Sequence, residues 1–297
     1  MPSSTRRPDL GRAVLWMTGT LLSFCAMAVS VRALSGSLKV MEILAIRSSG
    51  GLLILLALGA FNPAMLTTVS AKRLPLHIAR NTIHFAAQFM WAVGVTLLPL
   101  ATVFALEFTA PAHAVVLSAV FLRERLTPGR IGMVVCGFLG ILVILRPGLE
   151  TFQPAAFLVL GAAVGFAIMM TLTKAMTATE TSYAIMFWMN LMQLPLALLG
   201  SDPRAYLSLG AADLLPVCAI AVTGLSSHFC LAQAFRHGDA SLVVPMDFMR
   251  IPLIALAGWW LYGERLDVWV FAGAGLIVSG VLWNLRAESK WKTGAAK

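Results

Sequence analysis

Ten long apolar runs, separated by short charged or Pro/Gly-containing links, constrain this chain more than any other feature. They span residues 12–33, 40–60, 75–97, 100–121, 130–146, 154–175, 181–199, 212–235, 240–262 and 267–286. About 20 apolar residues cross a bilayer core as a helix, and a helix satisfies its own backbone hydrogen bonds in lipid. The alternation of a membrane β-barrel is absent. The pattern therefore predicts an all-α membrane protein with ten transmembrane helices.

Composition excludes several other classes of protein. Only 12% of the residues are charged, against about 25% in a soluble domain, so the partner is the lipid bilayer and no large soluble domain fits. The net charge of +9 is explained by basic cytoplasmic loops rather than by nucleic-acid binding. The four cysteines all lie in apolar runs without zinc or disulfide spacing, which predicts packing roles and no metal or other cofactor. The basic N-terminus precedes a retained first helix, since no signal-peptide cleavage site follows.

The distribution of Lys and Arg predicts the orientation. With the N-terminus in the cytoplasm, 15 basic residues fall on the inner side and six on the outer side, and Arg250 lies inside the ninth run. Arg80 is among the inner residues, and Arg32 and Arg47 are among the outer ones. Because basic loops stay in the cytoplasm, this bias predicts a multi-pass protein of the bacterial inner membrane with both termini cytoplasmic.

Two halves of the chain repeat each other at an offset of 140 residues. The matching positions are Glu107 with Asp247, Phe108 with Phe248, Glu124-Arg125-Leu126 with Glu264-Arg265-Leu266, Gly140 with Gly280, Leu142 with Leu282, Leu145 with Leu285, and Arg146 with Arg286. Each half holds five helices, an odd number, so the halves must lie in opposite orientations. We therefore predict two inverted five-helix repeats, residues 1–148 and 149–297, as in many alternating-access carriers.

Short motifs occur in the same order in both halves. They are Leu98-Pro99-Leu100-Ala101, Phe108-Thr109-Ala110-Pro111, Glu124-Arg125-Leu126, Gly137-Phe138-Leu139-Gly140, Arg146-Pro147-Gly148, Ala232-Gln233-Ala234-Phe235, Pro245-Met246-Asp247-Phe248 and Tyr262-Gly263-Glu264-Arg265. In these motifs the sequence resembles the drug/metabolite transporter superfamily, EamA type, over nearly its whole length.

This resemblance implies a ten-helix basket with a central cavity and transport without ATP hydrolysis. Bacterial members of the family include exporters of aromatic and other amino acids, and also importers of riboflavin, S-adenosylmethionine and other metabolites. The resemblance therefore leaves the substrate open. The sequence departs from the family where a second proline often follows the acidic position of the ninth helix, because here the residues are Arg250-Ile251-Pro252.

Polar residues follow one face of the third helix at spacings of three or four. They are His77, Asn81, His84, Gln88 and Trp91, and the equivalent part of the eighth helix carries Ser226, Ser227 and His228. Polar groups in hydrocarbon are costly and usually functional, so we interpret Asn81, His84, Gln88, Trp91, Ser227 and His228 as substrate-binding residues that face a common cavity. The alternative is that they hydrogen-bond neighbouring helices and hold them together.

Three charged residues inside apolar runs complete the candidate site. Glu107 lies roughly 10 Å below the outer end of the fourth helix, where burial favours a protonated carboxyl that could couple transport to protons. The alternative is a hydrogen-bonded structural acid. Asp247 and Arg250 are spaced to pair on one face of the ninth helix, either as a structural pair or as partners for the two ends of a zwitterionic substrate. Glu42 and Arg47 are expected at the membrane interface.

These patterns predict a secondary transporter that exports amino acids with aromatic or other apolar side chains by alternating access. The alternative within the class is an importer of a vitamin or metabolite such as riboflavin or S-adenosylmethionine. A membrane-embedded enzyme or a structural membrane protein is the alternative of another class. No nucleotide-binding, HExxH or GxSxG motif is present, so we assign no catalytic residue. The expected partner is a small molecule, and a homodimer stays an open alternative.

Overall fold

The computed structural model describes residues 10–121, 127–146, 153–176, 179–237 and 246–294, and within these ranges it contains no β-strand. The helices are α1 (Leu10–Leu34), α2 (Val40–Phe61), α3 (Pro63–Leu66), α4 (Leu74–Leu97), α5 (Leu100–Glu107), α6 (Ala110–Phe121), α7 (Pro128–Leu145), α8 (Ala156–Met176), α9 (Ser182–Leu199), α10 (Leu214–His237), α11 (Arg250–Tyr262) and α12 (Val268–Gly294). Two short 3-10 segments, Pro203–Ser208 and Ala211–Asp213, connect α9 to α10. Glu124, Arg125 and Leu126 of the first repeated motif lie outside the described residues.

Eight helical segments in the described ranges are long and apolar enough to cross a membrane. The third and ninth predicted runs hold α4 and α11, which are not among these eight. Helix α4 carries the polar stripe, and α11 has only 13 residues. The all-helical, multi-pass architecture is confirmed, whereas the total of ten crossings stays a prediction.

The fourth and ninth runs do not form the uninterrupted helices that the sequence suggested. The fourth run is broken at Phe108 and Thr109, between α5 and α6. The ninth run has turns at Phe248 and Met249 immediately before α11 begins at Arg250. The prolines that follow, Pro111 and Pro252, lack the amide N–H that would continue the helical bonding back across each break. A break in a membrane helix leaves some backbone N–H and C=O groups without helical partners. Such breaks are tolerated where the backbone is buried in protein or lines a cavity.

The helices pair in a pattern that the 140-residue offset preserves. The four most extensive contacts are between α1 and α10, α4 and α8, α7 and α12, and α2 and α9. The offset makes α1 equivalent to α8, α4 to α10, α2 to α9 and α7 to α12. Exchanging equivalent helices therefore converts the pair of α1 and α10 into the pair of α8 and α4. It leaves the pairs of α7 with α12 and α2 with α9 unchanged. The opposite orientation of the two halves, which this pattern is consistent with, stays a prediction.

Glycines allow two of these pairs to approach closely. A Cβ atom at Gly165 would lie 2.7 Å from Cβ of Ala87, so this glycine allows a close contact between α8 and α4. A Cβ atom at Gly140 would lie 2.4 Å from Cγ1 of Ile277 and 2.8 Å from the carbonyl oxygen of Gly273. The backbones of α7 and α12 therefore touch at this point.

Glu264 joins the end of α11 to two other parts of the bundle. Its Oε1 accepts a hydrogen bond of 2.8 Å from Arg32 on α1, and its Oε2 accepts one of 2.8 Å from the backbone N–H of Leu100 at the start of α5. Arg32 also donates to the carbonyl oxygens of Val95 and Leu98 at the end of α4. Glu264 thus connects the end of α11 to α1 and to the start of α5, which is a structural role.

Candidate functional site

Glu107, Asp247 and Arg250 form one largely buried group, together with Trp91, that we call the Arg250 cluster. Arg250 Nη2 donates to Asp247 Oδ2 at 2.5 Å, and Nη1 donates to Glu107 Oε1 at 3.3 Å. Trp91 Nε1 donates to Glu107 Oε2 at 2.8 Å. The break before α11 brings Asp247 and Arg250 together, and the break after α5 brings Glu107 to the same point. The cluster thus joins α4, α5 and α11.

Aromatic rings surround the guanidinium of this cluster. The Arg250 Cζ atom lies 4.4 Å from the ring centroid of Phe24, 4.7 Å from that of Phe108 and 5.7 Å from that of Phe104. The rings of Phe108 and Phe248, which match at the 140-residue offset, have centroids 4.8 Å apart. Ring faces attract a cation electrostatically, and the effect grows when water is excluded. The rings therefore help to hold a charged group at membrane depth.

The sequence indicated that Asp247 pairs with Arg250, and this contact is present. Glu107 has no basic residue within one helical turn in the sequence, yet the fold places a cation beside it, because Arg250 bridges both acids. The residues are 143 apart in the chain, so local spacing could not reveal the pairing. With both acids ionised the cluster carries one carboxylate more than it has guanidinium groups. It becomes neutral when one carboxyl is protonated.

A second buried group, the Arg47 cluster, consists of Arg47, Gln88, Gln193 and His84. Arg47 Nη1 donates to Gln88 Oε1 at 3.1 Å and to Gln193 Oε1 at 3.5 Å. Gln193 Nε2 lies 3.0 Å from His84 Nδ1. The cluster is built from α2, α4 and α9, and its four side chains are all buried.

Three charged residues that the sequence places at or near the membrane surface have buried side chains. Arg47 and Glu42 are 2% and 1% exposed, and Glu42 accepts from the backbone N–H groups of Lys39 and Asp202. Their depth in the membrane stays a prediction. Arg80 does not lie in a cytoplasmic loop, because it is buried on α4 and donates to Asn81 Oδ1 at 2.7 Å. The sequence did indicate that Arg47 is unusual, because it lies inside an apolar run. A charged side chain there has a high free-energy cost and is usually functional.

The polar stripe of α4 is divided between these two groups. Trp91 belongs to the Arg250 cluster, His84 and Gln88 belong to the Arg47 cluster, and Asn81 contacts Arg80. The stripe therefore contacts α2, α5, α8 and α9 as well as α10, rather than α10 alone.

His228 and Phe24 connect the two clusters. The ring centroids of His84 and His228 are 6.0 Å apart, and those of His228 and Phe24 are 5.9 Å apart. Phe24 lies in turn over the guanidinium of Arg250. Ser227, beside His228 on α10, has a buried Oγ without a hydrogen-bond partner in the part of the chain that the structure describes. All nine predicted site residues thus lie in or next to one connected buried region, whose contact with a substrate stays a prediction.

The sequence profile of the EamA-like transporter family matches this chain twice, at residues 11–146 and 153–286. Together these matches cover nearly the whole chain. The chain belongs to the EamA-like transporter family. The resemblance seen in the motifs is confirmed, and the protein is a multi-pass membrane transporter.

Several bacterial relatives of this EamA-like transporter carry transporter names. An S-adenosylmethionine uptake transporter of Rickettsia felis is 25% identical over 223 residues, 75% of this chain and 76% of that protein. A riboflavin transporter of Rhizobium johnstonii is 28% identical over 72% of this chain and 71% of its own length. A pseudopaline exporter of Pseudomonas aeruginosa is 28% identical over 86% of this chain and 89% of its own length. The family and these names point to a transporter, not an enzyme.

The fold also agrees with that of a solved crystal structure. The two superpose with a TM-score of 0.64 over 92% of this chain and 96% of the other, at 16% sequence identity. At this identity the likeness concerns the fold alone.

Proposed function

We propose that this protein is a secondary transporter that exports amino acids with aromatic or other apolar side chains by alternating access. The observation that carries the proposal is a connected buried region with cations, carboxylates and aromatic rings from both halves of the chain. Charged groups are rarely left in the middle of a membrane protein without a functional reason. Groups of both signs beside aromatic rings suit a zwitterion with an apolar side chain.

The symmetry of the helix contacts supports the alternating-access part of the proposal. The contact pattern survives exchange of the two halves, as expected for repeats related by a two-fold axis in the membrane plane. The two clusters lie where helices of the first half meet helices of the second. Rocking of one half against the other would therefore change the contacts of both clusters.

The excess carboxylate of the Arg250 cluster supports coupling to protons. Asp247 makes the shorter contact with Arg250 and is the better candidate for its permanent counterion. Glu107 makes the longer contact and is the group that we assign to bind and release a proton. Asp247 Oδ1 is buried without a partner among the described residues, which leaves it free to accept a hydrogen bond from a further donor.

The alternative substrate class is a vitamin or metabolite taken up by the cell. It is favoured by the names of the Rickettsia and Rhizobium relatives, which concern S-adenosylmethionine uptake and riboflavin. S-adenosylmethionine itself contains an amino-acid group, so much of the chemistry of the region would serve either class. Direct measurement is needed to separate them.

The test is transport by the purified protein in liposomes. Labelled phenylalanine, leucine, S-adenosylmethionine and riboflavin would be offered separately, with and without an imposed pH gradient. We expect phenylalanine and leucine to move faster than in protein-free liposomes, with a rate that depends on the pH gradient. Transport of S-adenosylmethionine or riboflavin alone would replace the amino-acid proposal with the alternative, and no transport of any of the four would overturn both.

A further inference from the structure

Arg47 is a buried cation with one side of its guanidinium unused. The residue is 2% exposed, and its Nη1 atom makes both hydrogen bonds of the side chain, to Gln88 and Gln193. The Nε atom is buried and has no partner, and Nη2 donates to nothing in the part of the chain that the structure describes. Nε and Nη2 form the edge of a guanidinium that binds a carboxylate through two parallel hydrogen bonds.

The charge of Arg47 is not neutralised by the described residues. Their ion pairs are Arg32 with Glu264, Arg146 with Asp267, and Arg250 with its two acids. Both partners of Arg47 are neutral glutamine amides. A buried charge without a counterion is costly, and proteins normally pair such groups.

Arg80 adds a second buried cation to this region. It is 4% exposed, and among the described residues its guanidinium donates to three neutral groups, namely Thr173, Asn81 and the sulfur of Met169. All of its side-chain nitrogens are therefore occupied, unlike those of Arg47. Arg80 strengthens the positive field of this region, whereas Arg47 keeps donors for a further group.

Helix α10 packs closely against Arg47 at a glycine. A Cβ atom at Gly224 would lie 3.0 Å from both Cγ and Nε of Arg47, so the glycine is what allows the arginine to lie against this helix. Ser227 is one turn further along the same face, and its buried Oγ has no partner among the described residues. An unused donor edge and an unpartnered hydroxyl thus occur on neighbouring surfaces of α2 and α10.

We propose that Arg47 binds the carboxylate group of the transported substrate through its Nε and Nη2 atoms. Arg80 contributes a second positive charge, and Ser227 is positioned to supply a hydroxyl donor. This inference rests on the proposed function for the identity of the substrate as an amino acid. It also moves the carboxylate away from Arg250, whose guanidinium already binds two acids.

The rings between the two clusters indicate how the rest of the substrate lies. His84, His228 and Phe24 form a row of neighbouring rings from the Arg47 cluster to Arg250. A molecule held by its carboxylate at Arg47 would extend its side chain along this row. Large aromatic or apolar side chains would then contact more surface than small ones, which favours them in binding.

The experiment measures ligand-induced stabilisation of the full-length protein in detergent, because this needs no transport. The probes are phenylacetate, phenylacetamide and inorganic phosphate, titrated at constant ionic strength while the thermal unfolding midpoint is followed. Phenylacetate and phenylacetamide have the same ring and nearly the same shape, but only the former carries a charge. We expect phenylacetate to raise the midpoint of the parent protein, with phenylacetamide and phosphate giving little change.

The variants are Arg47→Gln and the control Arg146→Gln, whose arginine pairs with Asp267 away from the two clusters. We expect Arg47→Gln to lower the apparent affinity for phenylacetate about 10-fold or more, since charge-assisted bonds are lost. Without ligand its unfolding midpoint should stay the same or rise, because an uncompensated buried cation has been removed. A purely structural arginine would instead lower the midpoint when replaced, and Arg146→Gln should respond to phenylacetate like the parent.

Several results would overturn the inference. These are a parent protein insensitive to phenylacetate, an equal response to phenylacetamide, a larger response to phosphate, or unchanged affinity in a folded Arg47→Gln protein. Failure of the proposed function is distinguishable from these outcomes. A protein that binds phenylacetate through Arg47 but does not transport phenylalanine or leucine would retain the carboxylate site and lose only the amino-acid assignment.

Discussion

At the scale of single residues, the property of the Arg250 cluster that bears on proton coupling is its net charge. One guanidinium lies between two carboxylates, so a proton on either carboxyl makes the cluster neutral. The two acids differ in their contact with Arg250, which is 2.5 Å for Asp247 and 3.3 Å for Glu107. The closer acid is the better permanent counterion, so we assign a fixed charge to Asp247 and the proton to Glu107.

Replacing Glu107 by Gln should leave substrate binding largely intact and remove the pH dependence of transport. The amide keeps a hydrogen-bond acceptor for Trp91 but cannot gain or lose a proton, and Arg250 keeps Asp247 as its counterion. The measurement is the initial transport rate in liposomes as a function of pH. Asp213→Asn, at the loop before α10, is the control and should keep the parent profile. An unchanged profile in Glu107→Gln would reduce Glu107 to a structural acid.

Two replacements of Trp91 separate its two contacts. Trp91→Phe keeps an aromatic ring against Phe104 but loses the indole N–H that donates to Glu107, whereas Trp91→Ala loses both. A hydrogen bond to a charged group contributes about 1.5–3 kcal/mol, so Trp91→Phe should shift the pH profile of transport. Trp91→Ala should in addition weaken transport of phenylalanine more than that of leucine, because stacking is lost. Identical behaviour of the two variants would argue against a role for the ring in binding.

At the scale of helices, breaks and close contacts position the site. The fourth and ninth runs are interrupted at equivalent positions, and the two phenylalanines at the interruptions contact each other. The breaks bring Glu107, Asp247 and Arg250 to one point, which two straight helices with the same sequence would not do. Two contacts that hold the helices together can be tested separately: those of Glu264 at the end of α11, and the close approach of α7 and α12 at Gly140.

Glu264→Ala should lower the free energy of unfolding by about 1.5–3 kcal/mol, because Arg32 and the backbone N–H of Leu100 both lose their acceptor. The comparison is Arg146→Gln, which breaks the more exposed ion pair with Asp267 and leaves the hydrogen bond from the Trp269 N–H to Asp267 in place. That pair should contribute about 0–1 kcal/mol, as expected for surface ion pairs. Both values can be measured by reversible denaturant unfolding in mixed micelles. Equal losses would mean that Glu264 does not join the helices as described.

Gly140→Ala should destabilise the contact between α7 and α12. The added Cβ would lie 2.4 Å from Ile277 and 2.8 Å from the carbonyl oxygen of Gly273, and overpacking of this kind costs about 1–3 kcal/mol. Gly275→Ala is the matched control on α12, since nothing lies within 4 Å of its added Cβ. The control should be neutral or stabilising, by up to about 1 kcal/mol, from its higher helix propensity. Thermal unfolding of both variants in the same detergent tests the difference.

At the scale of the whole molecule, the orientation rests on the basic residues of the loops. Arg47 was counted among the outer basic residues and Arg80 among the inner ones, and both are buried. Leaving both out removes one basic residue from each side of the membrane, so the excess on the inner side is unchanged. Both termini are therefore still expected in the cytoplasm.

Cysteine labelling tests this orientation. In a variant whose four native cysteines are replaced by alanine, single cysteines would be introduced for Lys72, Arg125 or Arg204. An impermeant thiol reagent added to intact cells should label the cysteine at 204 and leave those at 72 and 125 unlabelled until the membrane is opened. Labelling at 72 in intact cells would contradict the inverted arrangement of the two halves.

The sequence by itself determined the helical, membrane-spanning character of the protein, its two matching halves and its family. The physical reason is that a bilayer requires helices, so the apolar runs predict where they lie within a few residues, and composition leaves few alternatives. Local spacing also predicted the pairing of Asp247 with Arg250. Pro111 indicated a kink in the fourth run, but the sequence did not show that the fourth and ninth runs are interrupted, because propensity alone does not distinguish a proline that bends a membrane helix from one that ends it.

Only the tertiary structure decided which distant side chains meet. The contact of Glu107 with Arg250 joins residues 143 positions apart, and that of Arg47 with Gln193 joins residues 146 positions apart. Nothing in local spacing specifies such pairs, because they depend on how helices of the two halves pack. The same packing buries Arg47, which by its position near the start of α2 was expected at the interface. The chain thus encodes its helices locally, whereas its charge network exists only once those helices have come together.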